Sequence, residues 1–139
     1  MMDRLVDMFF YGLYMDGANL AAKGVHPRLP RVGRILDHRV VVATKAILTR
    51  APGEVAVGMV YALTHCEIDR LYDGLDDYRA EAFIARIDDP NGGVSPLVPA
   101  LAMVHVAPRI DGAVDADYIA GLHITLTSLG FSTSHLPRI

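Results

Sequence analysis

The chain has no tryptophan, a single cysteine and no basic block, and each shortage removes a class of protein. One cysteine, Cys66, cannot close an internal disulfide, which excludes a disulfide-built scaffold and makes the reducing cytoplasm the default expectation. Thirteen Lys and Arg stand against sixteen Asp and Glu, a net charge of −3, so no nucleic-acid partner is expected. The six histidines show no HExxH or comparable ligand spacing, so no metal site is expected. The only glycine pair, Gly92-Gly93, belongs to the turn "DDPNGGVS"; no phosphate-binding loop appears and no cofactor is implied. Long apolar runs are also missing. "PLVPALAMVHVAP" is too short and too interrupted by proline to span a bilayer. "MMDRLVDMFF" carries Asp3 and Asp7 where a signal peptide would be apolar, so neither leader nor membrane partner is expected.

What remains is a 139-residue chain, 52% hydrophobic, long enough for one domain over 1–139 with a real core. "RLVDMFFYG" reads as a strand of bulky, β-favouring residues that stops at Gly12. "MDGANLAAKG" reads as a short helix ended by Gly24. "RVGRILDHRVVVA" reads as a second strand with a glycine marking a bulge, and "EVAVGMVYAL" as a third covered on both faces. Then the period changes: Ile68, Leu71, Tyr72 and Leu75 recur at helical spacing, with Thr64 and Glu67 as a capping box. "AEAFIARID" and "LVPALAMVHVAP" read as two more strands. "DADYIAGLHITLTSLG" reads as a last helix, capped by Asp115 and closed by Gly130. An α+β domain follows, its strands forming a closed or nearly closed β-barrel rather than a layered sheet.

The order of landmarks carries a resemblance. Tyr11-Gly12 ends the first strand, "GMVYAL" leads into an acidic helix, a strand surrounds Phe83, another ends in "HVAP", and the final helix reads "Y…G…LG". Together these resemble the γ-glutamylcyclotransferase-like family, which includes γ-glutamylamine cyclotransferases and plant AIG2-like proteins, over roughly residues 8–136. The resemblance implies a small mixed β-barrel with flanking helices and a small-molecule substrate, and is compatible with a homodimer. It also implies that the loop Tyr11, Gly12, Leu13, Tyr14 and Met15 presents backbone N–H groups to that substrate, glycine allowing close approach. The family's loop serine is Leu13 here.

The family's catalytic Glu takes a proton from the substrate's α-amino group, which then closes a five-membered lactam. Matching Asp73 to the family's Asp places Asp76 on that Glu; an ungapped match from "VGMVYAL" places Leu75 there instead. Glu81, on the next strand, is a second candidate carboxylate. Phe83 stands where many members have a tyrosine whose hydroxyl enters the site, leaving Tyr11, Tyr61 and Tyr78 as candidate hydroxyl contacts. A site that loses a serine hydroxyl, a tyrosine hydroxyl and a methylene of carboxylate reach holds a zwitterionic glutamyl group poorly, so a less polar substrate is expected. Three functions follow: an enzyme cyclising or cleaving such a metabolite, a true γ-glutamylcyclotransferase releasing 5-oxoproline, and a non-catalytic ligand-binding member. Each candidate also has a plainer role. Tyr11-Gly12 is by itself a strand end, Asp76 a solvated member of "DGLDD" and Glu81 a solvent-facing strand residue. His105 and His123 read as hydrogen-bonded core histidines, and Cys66 beside His65 as an inert thiol.

Overall fold

A computed structural model describes residues 4–106 and 115–136. Five strands appear: β1 (Leu5–Phe10), β2 (Arg28–Val42), β3 (Ala46–Thr64), β4 (Tyr78–Ile87) and β5 (Leu97–His105). Three α-helices accompany them: α1 (Gly17–Ala21), α2 (His65–Leu71) and α3 (Ala116–Leu129). A 3₁₀ turn, Leu13–Met15, links β1 to α1. The strands close into a barrel in the order β1-β3-β2-β4-β5, antiparallel except for the parallel contact of β1 with β5 at Met8 and Leu101. The barrel expected from the strand-rich order is therefore present. Ala107 and Pro108, in the last expected strand, lie outside the described residues.

Alternation of side chains builds two cores from one sheet. Phe9 on β1 pairs with Val60 on β3, and both pack with Ile35, Ala85, Ala100 and Ala102 inside the barrel. Their neighbours Met8, Phe10, Tyr61 and Leu63 point the other way, against Met15, Leu20, Ile119, Leu122 and Leu126 of the turn and helices. Residues 58–63 of β3 are consequently buried without a break, as its apolar run suggested. Gly58 is where the two layers crowd most: a Cβ there would meet the Phe10 carbonyl oxygen and come 2.7 Å from the Phe9 ring. Only a residue without a side chain fits.

Local signals placed the helices. The Thr64 hydroxyl accepts from the Glu67 N–H while the Glu67 carboxylate accepts from the Thr64 N–H, the capping box expected at the start of α2. Asp115 caps α3 through the Tyr118 N–H, and Gly130 closes it in the left-handed region. The bulge expected at Gly33 is elsewhere. Pairing runs straight through Gly33 and Gly58, and the register shifts between Leu36 and His38. There Asp37 takes a positive φ of 59° and its carboxylate accepts from the Gly53 N–H. A short polar side chain that bonds locally supports that conformation. Beyond Asp37, β2 stays paired with β3, and β4 pairs with β2 only at Gly33 and Arg34. His123 is solvent-exposed on α3, not in a core.

Candidate functional site

At the end of β1 the barrel wall opens into a cavity of about 480 Å³, a volume suited to a small molecule. Around it meet the Tyr11–Tyr14 loop, α1 and the residues after it, the turn between α2 and β4, the tip of the β2–β3 hairpin, Met103 of β5 and the first turn of α3. Two side chains take carbonyls of the loop. Asn19 Nδ2 donates to the Leu13 carbonyl at 2.8 Å, and the Tyr61 hydroxyl donates to the Met15 carbonyl at 2.6 Å. Gly12 matters for a reason the sequence did not show: a Cβ there would lie 2.8 Å from the Tyr118 hydroxyl. The missing side chain admits a tyrosine from α3, whose oxygen also accepts from the Ala46 N–H at 3.2 Å.

Tyrosine dominates the wall. Tyr11, Tyr14, Tyr72, Tyr78 and Tyr118 all line the cavity, five of the six in the chain. Their rings form a chain of edge and tilted contacts, Tyr14 to Tyr72 at 6.5 Å and Tyr72 to Tyr78 at 6.0 Å, continued by Tyr78 against His105 at 5.3 Å. Burial, the largest cause, pushes all five phenols above their ordinary range; neighbouring tyrosines add to it for Tyr11, Tyr72 and Tyr118, and Asp77 for Tyr78. At neutral pH they are neutral hydroxyls able to donate protons in hydrogen bonds. The Tyr11 hydroxyl donates to the Met103 carbonyl at 2.7 Å. Tyr14, Tyr72 and Tyr78 have no hydrogen-bond partner for theirs among the described residues.

The charged members of the lining are Lys23 and Lys45; no Asp or Glu is among them. Lys45 Nζ sits 5.1 Å from the Tyr118 ring centroid, held against the wall by a cation–π contact. Leu75 lines the cavity, whereas Asp76 is exposed in the turn beside it. This is the arrangement of the ungapped match.

Of the residues singled out from sequence, Tyr11, Gly12, Leu13, Tyr14 and Tyr78 come together at the cavity. Met15, Tyr61 and Phe83 do not line it. Met15 is fully buried in the outer core, Tyr61 holds the Met15 carbonyl from below, and Phe83 packs inside the barrel with an edge contact to His38 at 5.3 Å. Glu81 pairs with Ala102 at an exposed position on β4, away from the lining. Sequence reasoning missed Tyr72, Tyr118, Lys23 and Lys45. Tyr72 had a signal, helical spacing after Ile68, but that spacing says only that a residue is on the packed side. Tyr118 was a landmark of the last helix in the pattern "Y…G…LG", which said nothing of the cavity, and the two lysines had no signal. Among the described residues no group of three or more His, Cys, Asp or Glu is placed to hold a metal ion. No described helix is long and apolar enough to cross a membrane.

A closed five-stranded barrel with this loop at its mouth defines the γ-glutamylcyclotransferase-like fold, and the chain has that fold. No family model matches the sequence, and no curated protein matches it in sequence. Solved structures do. One titled "Gamma-glutamyl cyclotransferase" superposes with a TM-score of 0.67 at 12% identity, covering 91% of this chain and 81% of that one. An AIG2-like protein from Mus musculus gives 0.59 at 12% identity, over 97% of this chain and 89% of its own. A solution structure from Arabidopsis thaliana gives 0.66 at 14% identity, with 94% and 82% covered.

Proposed function

We propose that the chain is a small-molecule enzyme of the γ-glutamylcyclotransferase-like fold whose substrate is less polar than a γ-glutamyl amide. The observation that carries this reading is the cavity wall, with five tyrosines and no acidic side chain. A γ-glutamyl group brings an ammonium into its site, and an ammonium taken out of water without an anionic partner is strongly disfavoured. A ring-lined cavity instead rewards apolar surface and fixes orientation with a few hydroxyls. The proposed reaction is cyclisation or cleavage of the bound metabolite.

A carboxylate base must reach the reacting proton, so geometry decides first. Asp76 is the candidate: it lies between Leu75 and Tyr78, both on the cavity, in a turn whose Gly74 has a φ of 76° and open space around it. A shift of that turn by one residue brings Asp76 to the place of Leu75. The missing wall carboxylate also favours a second reading, a cavity that binds its ligand without converting it. Variants separate the two. Asp76→Asn lowers turnover of the natural substrate by at least about a hundredfold if Asp76 is the base, the usual scale of positioned acid–base catalysis. Full activity in Asp76→Asn with loss in Glu81→Gln moves the role to Glu81, and full activity in both ends carboxylate catalysis. γ-Glutamyl-alanine converted to 5-oxoproline at roughly one turnover per second or faster refutes the less polar substrate.

A further inference from the structure

Resting on the proposed small-molecule site, we infer that the ligand is an aromatic or conjugated carboxylate without an ammonium group. Three independent features of the wall converge on this chemistry. The first is sign. The chain as a whole is acidic at −3, yet the cavity lining carries two lysines and no carboxylate. The nearby acidic turn holds Asp73, Asp76 and Asp77, exposed as the two lysines are, but none of the three lines the cavity. A carboxylate entering the cavity meets two lysines and hydroxyl donors on the wall; an ammonium meets the same two lysines beside ring faces and hydroxyls, with no carboxylate among the lining to replace its water.

The second feature is the supply of donors. Tyr14, Tyr72 and Tyr78 carry hydroxyls with no partner among the described residues, at the same cavity. The cavity therefore holds three phenols free to donate, together with the lysine ammonium held over Tyr118. Short charge-assisted bonds from phenol and ammonium to a carboxylate are the strong pairing available to such a set. The third is shape. The Tyr14, Tyr72 and Tyr78 rings, with Phe10 edge-on to Tyr14 at 6.0 Å, present edges and faces to one volume. A planar π-system packs against those surfaces better than a saturated one of equal size.

Isothermal titration of the full chain with 3-phenylpropionate, 3-phenylpropanamide, 3-phenylpropylamine and 3-cyclohexylpropionate tests the inference, because the probes vary charge and ring separately. The acid should bind about tenfold more tightly than the neutral amide, the range expected of a hydrogen bond to a charged group, and the amine should not bind detectably at millimolar concentration. The cyclohexyl acid should bind several-fold more weakly than the phenyl acid. Lys45→Met should weaken the acid by about tenfold and leave the amide unchanged, with Lys45→Arg retaining most of the affinity. Both are exposed positions, so an unchanged thermal midpoint verifies folding. Equal or tighter binding of the amine, no binding of any probe, or an unchanged acid affinity in Lys45→Met together with Lys23→Met overturns the inference. Preference for the amide with no ammonium binding overturns the anionic part alone and leaves the less polar site standing. Acid binding together with unchanged turnover in Asp76→Asn supports the inference and removes Asp76 from the reaction instead.

Discussion

Replacing Glu67 by glutamine removes one negative charge from a buried junction and turns one of its two accepting oxygens into an N–H donor. Glu67 is only 6% exposed and accepts four hydrogen bonds: from the His26 N–H at 2.7 Å, Arg28 Nη1 at 2.8 Å, the Thr64 N–H at 2.9 Å and the Thr64 hydroxyl at 3.1 Å. It thereby ties the approach to β2 to the first turn of α2, the helix whose end delivers Tyr72 to the cavity. Burial alone would raise its pKa, but the bonds from Arg28, Thr64 and His26 outweigh that and hold the carboxyl at about 2 against a usual 4.5. Each tenfold difference in proton affinity is worth about 1.4 kcal/mol, so ionised Glu67 contributes on the order of 3 kcal/mol at neutral pH. Because the folded value lies below the unfolded one, this stability is fully present above about pH 4.5 and disappears as pH falls toward about 2. Denaturant unfolding of the parent chain and Glu67→Gln at pH 7 and pH 3 provides the assay. The expected gap between them is about 3 kcal/mol at pH 7 and about 1 kcal/mol at pH 3. Comparing the pair cancels the other carboxylates that titrate over the same range. A gap that is under about 0.5 kcal/mol at pH 7, or that stays constant with pH, refutes the reasoning.

Gly58→Ala should cost at least about 3 kcal/mol, since its Cβ would meet both the Phe10 backbone carbonyl and the Phe9 ring of β1; a chemical-denaturation midpoint within error of the parent disproves it. Tyr61→Phe should cost about 1–2 kcal/mol through the lost bond to the Met15 carbonyl, and should loosen the 13–15 turn. Faster amide exchange at residues 13–16 checks it, and unchanged exchange counts against a pinning role. Asp76→Asn, assayed on the natural substrate once found, should lose at least about a hundredfold in turnover with folding intact; γ-glutamyl-alanine should yield no 5-oxoproline.

Much of the fold was legible because it is coded locally. Thr64 with Glu67 writes a helix start in four residues, Asp115 and Gly130 bracket α3, and a β-favouring run such as Met8–Phe10 marks a strand wherever it lands. The overall order of elements, a barrel rather than a layered sheet, followed from the same signals, whereas the loop that ends β1 pointed to a site only through the family resemblance. The bulge was not legible, because glycine at 33 and aspartate at 37 are both plausible breakers, and only the long hairpin's twist chose Asp37.

The site divides the same way. Sequence by itself supplied six tyrosines and few other candidate polar groups, since the chemistry of a residue travels with it. Tertiary structure decided which tyrosines line the cavity. Tyr61 and Phe83 belong to alternating strands, and a strand's neighbours on the next strand fix whether a ring faces a cavity, a helix or the barrel interior. Tyr118 and Lys45 are separated by 73 positions of chain and meet only because the barrel closes and lays α3 across the hairpin tip. The missing wall carboxylate was likewise invisible. Leu75 and Asp76 are adjacent in sequence and both exposed, yet the turn after α2 sets the apolar one on the cavity lining and leaves the charged one off it.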